Sequence, residues 1–239
     1  RPNLPNEDVK TVVITNYNKQ LIHALNEYGI NIITSEILSC LLPFEQYHTD
    51  LQFLHYNKDT IFVLKECTSL KENLKKYFPN AIEISTNIDK DYPNNVMLNC
   101  VVLSDKLICN TKTIADEVLQ MATNDNLKII NVNQGYTKCS TCIVNENAII
   151  TSDKSIYKSC RNEMDVLLIW KGYIELPGTD YGFIGGSSFK YNRNTLVFTG
   201  NIKLHPDYES IKSFAQNHNV ELLSLTENTM IDIDRLADY

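Results

Sequence analysis

Short polar turns alternate with apolar segments at regular intervals along this chain. The turns fall at 57–59, 104–106, 145–147 and 192–194, roughly 40 to 50 residues apart. Each is followed by a run rich in β-branched and aromatic residues, which strands favour: TIFVL, KLICN, NAIIT and NTLVF. A fixed spacing of this size is typical of structural repeats. The pattern therefore predicts four β-hairpins in equivalent positions.

A helix and one more strand are predicted after each hairpin. Ser69 and Glu72 are spaced as a capping box for the helix of the second unit, and the helix of the fourth unit spans about 153–161. Pro206 suits the first position of the helix in the fifth unit. The strands that follow the helices are AIEIS, LKIINV, DVLLIW and VELLSL.

The N-terminal segment predicts a further unit that lacks its opening strand. It contains a strand, a helix that Gly29 ends, and the strand INIIT, and segment 228–236 is left to provide the missing strand. Closing the first repeat with the last strand removes both sheet edges and makes a ring. We therefore expect one α/β domain, 1–239, with five strand-strand-helix-strand repeats around a central pore. The alternative is an open α/β sheet. The expected repeats are 1–40, 46–90, 94–133, 134–172 and 180–226.

Composition limits the partners of the protein. The formal net charge is −7 over 239 residues, with no basic stripe, so we expect no nucleic acid partner. No apolar run reaches the roughly 18 to 20 residues that span a bilayer, so we expect a soluble protein with no membrane partner. The seven cysteines are odd in number and scattered, which argues against a disulfide framework and for the reducing cytoplasm.

The five units resemble the pentein fold. This β/α-propeller with a pseudo-fivefold axis is the fold of the guanidino-group-modifying enzymes, which include arginine deiminase, agmatine deiminase, dimethylarginine dimethylaminohydrolase and the amidinotransferases. The ribosome anti-association factor shares it. The segments QGYTKCST, LPGTDYGFIGGSS, GNIKLHPD and LTENTMIDI are similar to an uncharacterised family assigned to this fold.

Two motifs resemble those of the enzymes. HTDLQFLHYNKDTIFV is similar to the His-x-Asp-x-x-Phe strand of the deiminases, which implies His48 as general acid/base and Asp50 as a guanidinium ligand. GYTKCST resembles their glycine-rich approach to the catalytic cysteine, which implies Cys139 as nucleophile. The strand GFIGGSSF lacks the second guanidinium-binding carboxylate of the family, which leaves Asp180 and Asp232 as candidates.

These residue types suit thiol chemistry. On a strand, positions two apart share a face, so His48 and Asp50 are expected to point into the pore. Lys138 and a protonated His48 would lower the pKa of the Cys139 thiol and activate it. Cys142, three positions further along the same strand, would face the other side and pack in the core. This parity disfavours a zinc or redox pair of the two cysteines.

Other polar and small residues are candidates for substrate binding. Asn99 is a candidate pore-lining group, with a loop or strand-edge role as its structural alternative. Gly185 and Gly186 allow close approach of a ligand or of another backbone, or mark a bulge. Cys139 itself has the alternative of a buried packing thiol.

Two functions remain open at this point. The first is a cysteine-dependent hydrolase or transferase that acts on an amidine- or guanidine-type C–N bond through a covalent thiol intermediate, without cofactor or metal. Its substrate would be a small, cationic molecule. The second is a non-catalytic pentein that binds a small ligand or a protein partner, since a fold does not fix a function.

Overall fold

The computed structural model describes residues 2–15 and 18–233 of the chain. In these residues the architecture is mixed α/β, with six α-helices, one 3-10 helix and sixteen strands. The elements up to the third sheet are β1 (Thr11–Ile14), α1 (Lys19–Glu27), β2 (Asn31–Thr34), α2 (Thr49–Gln52), β3 (Phe53–His55), β4 (Thr60–Leu64), α3 (Thr68–Leu74), β5 (Asn80–Ile84), β6 (Val101–Val102), β7 (Lys106–Cys109), α4 (Asp116–Asn124) and β8 (Lys128–Asn131). The remaining elements are β9 (Thr141–Asn145), β10 (Ala148–Thr151), α5 (Lys154–Cys160), β11 (Asp165–Leu168), β12 (Ile174–Glu175), β13 (Ser188–Asn192), β14 (Thr195–Phe198), the 3-10 helix (Ile202–Leu204), α6 (Tyr208–Asn217), β15 (Glu221–Ser224) and β16 (Met230–Ile231).

Four three-stranded sheets share one plan. In each, two antiparallel strands form a hairpin, and a third strand, which follows a helix, lies parallel to the second. The sheets are β3-β4-β5, β6-β7-β8, β9-β10-β11 and β13-β14-β15. β1 and β2, connected through α1, pair in parallel without a preceding hairpin strand. The four predicted hairpins and the strands predicted after the helices are confirmed.

The C-terminal strand has a different partner from the one predicted. β16 pairs in parallel with β12, and β1 pairs with β2 alone in the described residues. The segment expected to close the first repeat, 228–236, lies outside the described residues from position 234 onward. Just after β16, the Asp232 N–H donates to the carbonyl of Glu175 at 2.8 Å. The pairing with β12 thus fixes the position of Asp232.

The start of α3 depends on a residue far away in the sequence. The helix begins at Thr68 with Cys67 as its N-cap, so the predicted capping box of Ser69 and Glu72 is wrong. The Leu70 N–H donates instead to Glu36 Oε1 at 3.0 Å. A carboxylate from another segment therefore satisfies a helix N–H group that a local cap would otherwise bind.

The starts of α5 and α6 are determined locally. Asp153 is the N-cap of α5, and its Oδ1 accepts the N–H groups of Ser155 at 2.8 Å and Ile156 at 2.9 Å. The predicted start of this helix is confirmed. α6 begins at Tyr208, so Pro206 precedes the helix and does not occupy its first position.

The core is centred on the middle strand of each three-stranded sheet. β4, β7 and β10 are buried at every position, whereas β5, β8 and β11 are largely half-buried or exposed. The segments just before β3 and β9 are also buried, although they carry polar side chains. Buried polar groups outside regular strands need specific partners, and these two segments carry the candidate site. Among the described residues, no helix has both the length and the apolar character needed to cross a membrane.

Candidate active site

Cys139 lies in a tight turn immediately before β9. The Ser140 N–H donates to the Tyr136 carbonyl and the Thr141 N–H to the Lys138 carbonyl, both at 3.0 Å. Because β9 begins at Thr141, the prediction that Cys139 lies on this strand is wrong. The turn buries the thiol completely, with 0% of Cys139 exposed.

Cys142 lies on β9 and belongs to the packing. It is fully buried in an apolar cluster with Val144, Ile150 and Leu196, which confirms the predicted core role. Neither cysteine forms a disulfide bond within the described residues. Within residues 2–15 and 18–233, no group of three or more potential metal ligands is placed to hold an ion.

Asn99 holds both the backbone and the thiol of the Cys139 turn. Its Oδ1 accepts the N–H groups of Lys138 at 2.7 Å and Cys139 at 3.3 Å. Its Nδ2 donates to Cys139 Sγ at 2.8 Å. Asn99, predicted as a substrate-binding residue, therefore contacts the candidate nucleophile directly.

His48 and Asp50 lie at the start of a helical turn, not on a strand. α2 comprises Thr49–Gln52 with His48 as its N-cap, and β3 begins only at Phe53. The prediction that the two side chains share a strand face is therefore wrong, since residues two apart on a helix point in different directions. Both are nevertheless buried, and Asp50 Oδ2 lies 3.9 Å from Cys139 Sγ.

His48 faces a small pocket of about 80 Å³ whose walls are largely apolar. Asp232 lines the same pocket, so one of the two candidate second carboxylates lies beside the site. Asp180 is exposed and lines a separate surface hollow of about 360 Å³. The lining residues of the small pocket are Thr15, Pro43, Phe44, Tyr47, His48, Leu176, Pro177, Asp232 and Ile233.

The Cys139 thiol is held in its neutral form. Burial raises the pKa of Cys139 well above its ordinary value, and the nearby carboxyl groups of Asp50 and Asp232 raise it further, against the opposing hydrogen bond from Asn99. The predicted net lowering of the pKa of this thiol is therefore wrong for the protein without substrate.

The imidazole and one carboxyl group of the pocket are also neutral near pH 7. Burial lowers the pKa of His48 to about 4, although a hydrogen bond with the Phe44 backbone opposes this. Burial and then Asp50 raise the pKa of Asp232 to about 8, and the Phe183 N–H, which donates to Asp232 Oδ2 at 2.7 Å, opposes this. The site therefore contains a neutral base and a protonated acid.

Gly185 and Gly186 connect the Cys139 turn to the C-terminal segment. A Cβ on Gly185 would lie 2.3 Å from the Lys138 carbonyl oxygen and 2.6 Å from the carbonyl oxygen of Cys139. The Gly186 N–H donates to the Cys139 carbonyl at 3.1 Å, and the Gly186 carbonyl accepts the Ile233 N–H at 3.2 Å. The predicted close approach is therefore that of another backbone.

Two polar residues of the site were not predicted from the sequence. Glu45 and Asn95 are 2% and 3% exposed, and both bond to the Tyr136 hydroxyl, in the turn that precedes Cys139. The one local signal for Glu45 is an acidic residue within the otherwise apolar stretch LLPFE, three positions before His48. Asn95 carries no such signal.

We expect Cys139 to react slowly with iodoacetamide in the free protein, with a pH midpoint above the roughly 8.5 of an ordinary thiol, because both burial and the carboxyl groups oppose the thiolate. Mass spectrometry of the Cys139 peptide against pH measures this. Exposed Cys40 is the internal control and is expected to react first. A Cys139 midpoint below that of a free thiol would contradict the neutral resting state.

Gly185→Ala is expected to destabilise the fold by about 3 kcal/mol and to speed Cys139 labelling, because the new methyl group pushes the Cys139 turn away. Urea unfolding and peptide-resolved labelling measure the two effects. Gly29→Ala is the control. Gly29 has a φ of +69° with open space around it, so we expect a loss of about 1 to 2 kcal/mol without faster labelling. Equal rates of Cys139 labelling in both variants would refute the idea that Gly185 determines the position of the Cys139 turn.

Comparison with solved structures shows the fold. An inosamine-phosphate amidinotransferase from Streptomyces griseus matches with a TM-score of 0.58 and 11% identity, over 98% of this chain and 97% of that one. A DDAH from Pseudomonas aeruginosa, complexed with citrulline, matches with a TM-score of 0.59 and 9% identity, over 96% of both chains. A C. jejuni agmatine deiminase matches with a TM-score of 0.56 and 8% identity, over 94% of this chain and 90% of that one.

Sequence comparison places the chain in a family. No curated protein matches its sequence, and at 8 to 11% identity the structural likenesses establish the fold alone. The predicted similarity to an uncharacterised family is confirmed by a family model that covers residues 12–235. The chain belongs to this family, the family of unknown function DUF6873.

Proposed function

We propose that this protein is a cysteine-dependent enzyme that breaks a C–N bond of an amidine or guanidine through a covalent intermediate on Cys139. One observation carries the proposal: Asp50 Oδ2 lies 3.9 Å from the buried Cys139 Sγ. Both groups interact electrostatically with Asp232, which lines a small pocket together with His48. A thiol, two carboxyl groups and an imidazole suit nucleophilic attack on a cationic sp² carbon. The fold, shared with amidinotransferases, a DDAH and an agmatine deiminase, supports a guanidino substrate.

The repeats are proposed to form a single pentein-type domain, a five-bladed β/α-propeller with the site at its centre. The support is the shared plan of the four three-stranded sheets, together with the β1-β2 pair. The buried segments before β3 and β9, which belong to different sheets, meet at Asp50 and Cys139. Catalytic groups would then come from the inner ends of several repeats.

A cationic substrate is the proposed trigger of thiol ionisation. The neighbouring carboxyl groups raise the pKa of Cys139 in the free protein. A guanidinium bound between Asp50 and Asp232 would bring positive charge beside the sulfur and favour the thiolate. Neutral His48 is the group proposed to take the thiol proton.

The proposed cycle balances with these groups alone. The thiol proton moves to His48, and the sulfur electron pair forms an S–C bond to the amidine carbon. The C–N bond then breaks while the protonated His48 gives its proton to the leaving amine. A water, or an acceptor amine in a transferase, loses a proton to His48 and attacks the carbon. The S–C bond breaks, and the protonated His48 returns its proton to Cys139. In hydrolysis the hydroxyl proton of the intermediate leaves to solvent as the product carbonyl forms.

A non-catalytic ligand-binding protein is the second candidate. It is favoured by the complete burial of Cys139 and by the raised pKa of its thiol, both of which are typical of structural cysteines. The two candidates differ in whether the thiol forms a covalent adduct with a guanidino compound.

Guanidino compounds incubated with the protein are expected to release ammonia or an alkylamine, or to transfer their amidino group to an added amine. Cys139→Ala should reduce the rate at least about 1000-fold, because the nucleophile is lost. His48→Ala should reduce it about 100- to 10,000-fold, because the acid/base is lost. Product assays and the intact mass of a trapped adduct measure these effects.

Cys142→Ala is the matched control, since this nearby buried thiol packs in the core. It should keep its activity within a few-fold despite a loss of stability. Turnover that Cys139→Ala leaves unchanged would exclude the covalent mechanism. A bound guanidino ligand without turnover or adduct would favour the second candidate.

Binding of agmatine to Cys139→Ala is expected to strengthen as pH rises from 6 to 8, by up to about tenfold per unit, and then to level off. Below about pH 8 Asp232 is protonated, so a cation that binds the ionised carboxylate must displace one proton. Within this range His48 stays neutral, and the substitution removes the Cys139 thiol. Calorimetry across pH measures both the affinity and the proton released.

Asp232→Asn should abolish the pH dependence, because it removes the titrating group. Asp180→Asn is the control, since Asp180 lines the separate exposed hollow, and it should leave the slope unchanged. An affinity that does not vary with pH in the parent variant, or a slope retained in Asp232→Asn, would refute this role of Asp232.

A further inference from the structure

Glu45, Asn95 and Tyr136 form a closed hydrogen-bonded cluster, called here the Glu45 triangle. Glu45 Oε1 accepts from Asn95 Nδ2 at 2.9 Å and from the Tyr136 hydroxyl. Asn95 Nδ2 also donates to the Tyr136 hydroxyl oxygen at 2.6 Å. The three residues lie 41 to 91 positions apart in the sequence, so the triangle joins three distant segments.

Two corners of the triangle are bonded directly to segments that carry the site. The Glu45 carbonyl accepts the His48 N–H at 3.0 Å, and the Tyr136 carbonyl accepts the Ser140 N–H at 3.0 Å, which shapes the turn around Cys139. The backbone of each of these two residues therefore holds a segment that carries a proposed catalytic group.

Asn95 and Asn99 are connected by one backbone turn. The Asn99 N–H donates to the carbonyl of Val96, the residue next to Asn95, at 3.0 Å. Asn99 in turn holds the Cys139 thiol and backbone. The amide that bonds to Glu45 and the amide that bonds to the sulfur thus belong to one turn of the chain.

Tyr136 also connects the Glu45 triangle to Asp232 through Phe183. Its ring stacks on Phe183, with centroids 6.1 Å apart and planes at 19°. The Phe183 N–H donates to Asp232 Oδ2 at 2.7 Å. Three groups of the proposed mechanism, His48, Cys139 and Asp232, are therefore within a few bonded or stacked contacts of Glu45.

The triangle is not arranged for maximal stability. Glu45 Oε2 and Asn95 Oδ1 are buried, and no donor among the described residues reaches either atom. A buried acceptor without a donor costs stability, and the cost is greater for a charged group. Polar groups kept at such a cost point to a functional role.

We propose that Glu45 is a positioning residue, which acts through Tyr136 and Asn95 to hold the Cys139 turn and Asn99 in register with His48. The inference rests on the proposed function for its effect on turnover. Its effect on the Cys139 thiol does not depend on that function, so the two can be tested separately.

Tyr136→Phe tests the proposal, because it removes the hydroxyl corner and keeps the ring on Phe183. Cys139 labelling by iodoacetamide at pH 8 is expected to become at least about tenfold faster, the factor given by losing one hydrogen bond to a charged group. With a guanidino substrate, kcat should fall about 10- to 100-fold with little change in KM, because the reacting groups are misplaced while substrate ligands remain.

Glu45→Gln separates hydrogen bonding from charge. The amide oxygen can still accept from Tyr136 and Asn95, so this conservative variant should label more slowly and turn over faster than Tyr136→Phe. Cys139 labelling at least as fast as in Tyr136→Phe, or turnover at least as slow, would show that the hydrogen-bonding geometry is not what matters. Either result would overturn the proposal.

Tyr56→Phe is the matched control, since its hydroxyl also donates to a carboxylate, Asp125 Oδ2, at 2.8 Å. Both Tyr→Phe variants should lower the thermal midpoint similarly, and only Tyr136→Phe should change labelling and kcat. Wild-type labelling of Cys139 in Tyr136→Phe, or equal changes in both variants, would overturn the proposal. If no substrate is turned over, the proposed function fails while the labelling result still decides the role of Glu45.

Discussion

The hydrogen bonds from Asn99 to the Cys139 turn are the interaction on which the rest of the site depends. One amide binds two backbone N–H groups and the thiol sulfur, so the turn and the sulfur cannot move independently. Gly185 and Gly186 also contact the backbone of the same turn, at the carbonyl groups of Lys138 and Cys139. These contacts together restrain the Cys139 turn, in which Cys139 Sγ lies 3.9 Å from Asp50 Oδ2.

Burial then sets the charges of this fixed arrangement. Burial disfavours the ionised forms of the Cys139 thiol, the His48 imidazole and the Asp232 carboxyl group, which therefore settle into neutral forms. The directions of the pKa shifts of Cys139, His48 and Asp232 follow from that single cause. In the proposed function, a cationic ligand would supply the positive charge that favours the thiolate.

The regular elements were predictable because their signals are local. A polar turn between two apolar runs specifies a hairpin within about ten residues, as at β9 and β10. The wrong predictions arose where local signals were insufficient. The start of α3 is fixed by Glu36, and the helical turn at His48 replaces the strand expected from the motif. The first depends on a contact with a distant segment, and the second is a change of local backbone conformation that the motif does not indicate.

The candidate site was predictable in its chemistry and not in its geometry. His48, Asp50 and Cys139 follow from motif resemblance, and the structure brings Asp50 against the sulfur. The position of Asp232 beside them depends on the pairing of β16 with β12, which no local pattern indicates. The role of Glu45 is likewise not indicated by the isolated acidic residue in LLPFE, since its partners lie 50 and 91 residues away.

A neutral resting thiol has a consequence for selectivity. A nucleophilic cysteine that is ionised at rest reacts with any electrophile or oxidant that reaches it. Here the carboxyl groups that would bind a cation are the same groups that suppress the thiolate in its absence. Ionisation of Cys139 would therefore be coupled to occupancy by a ligand of the correct charge. In the proposed mechanism, recognition and activation of the nucleophile are one electrostatic event.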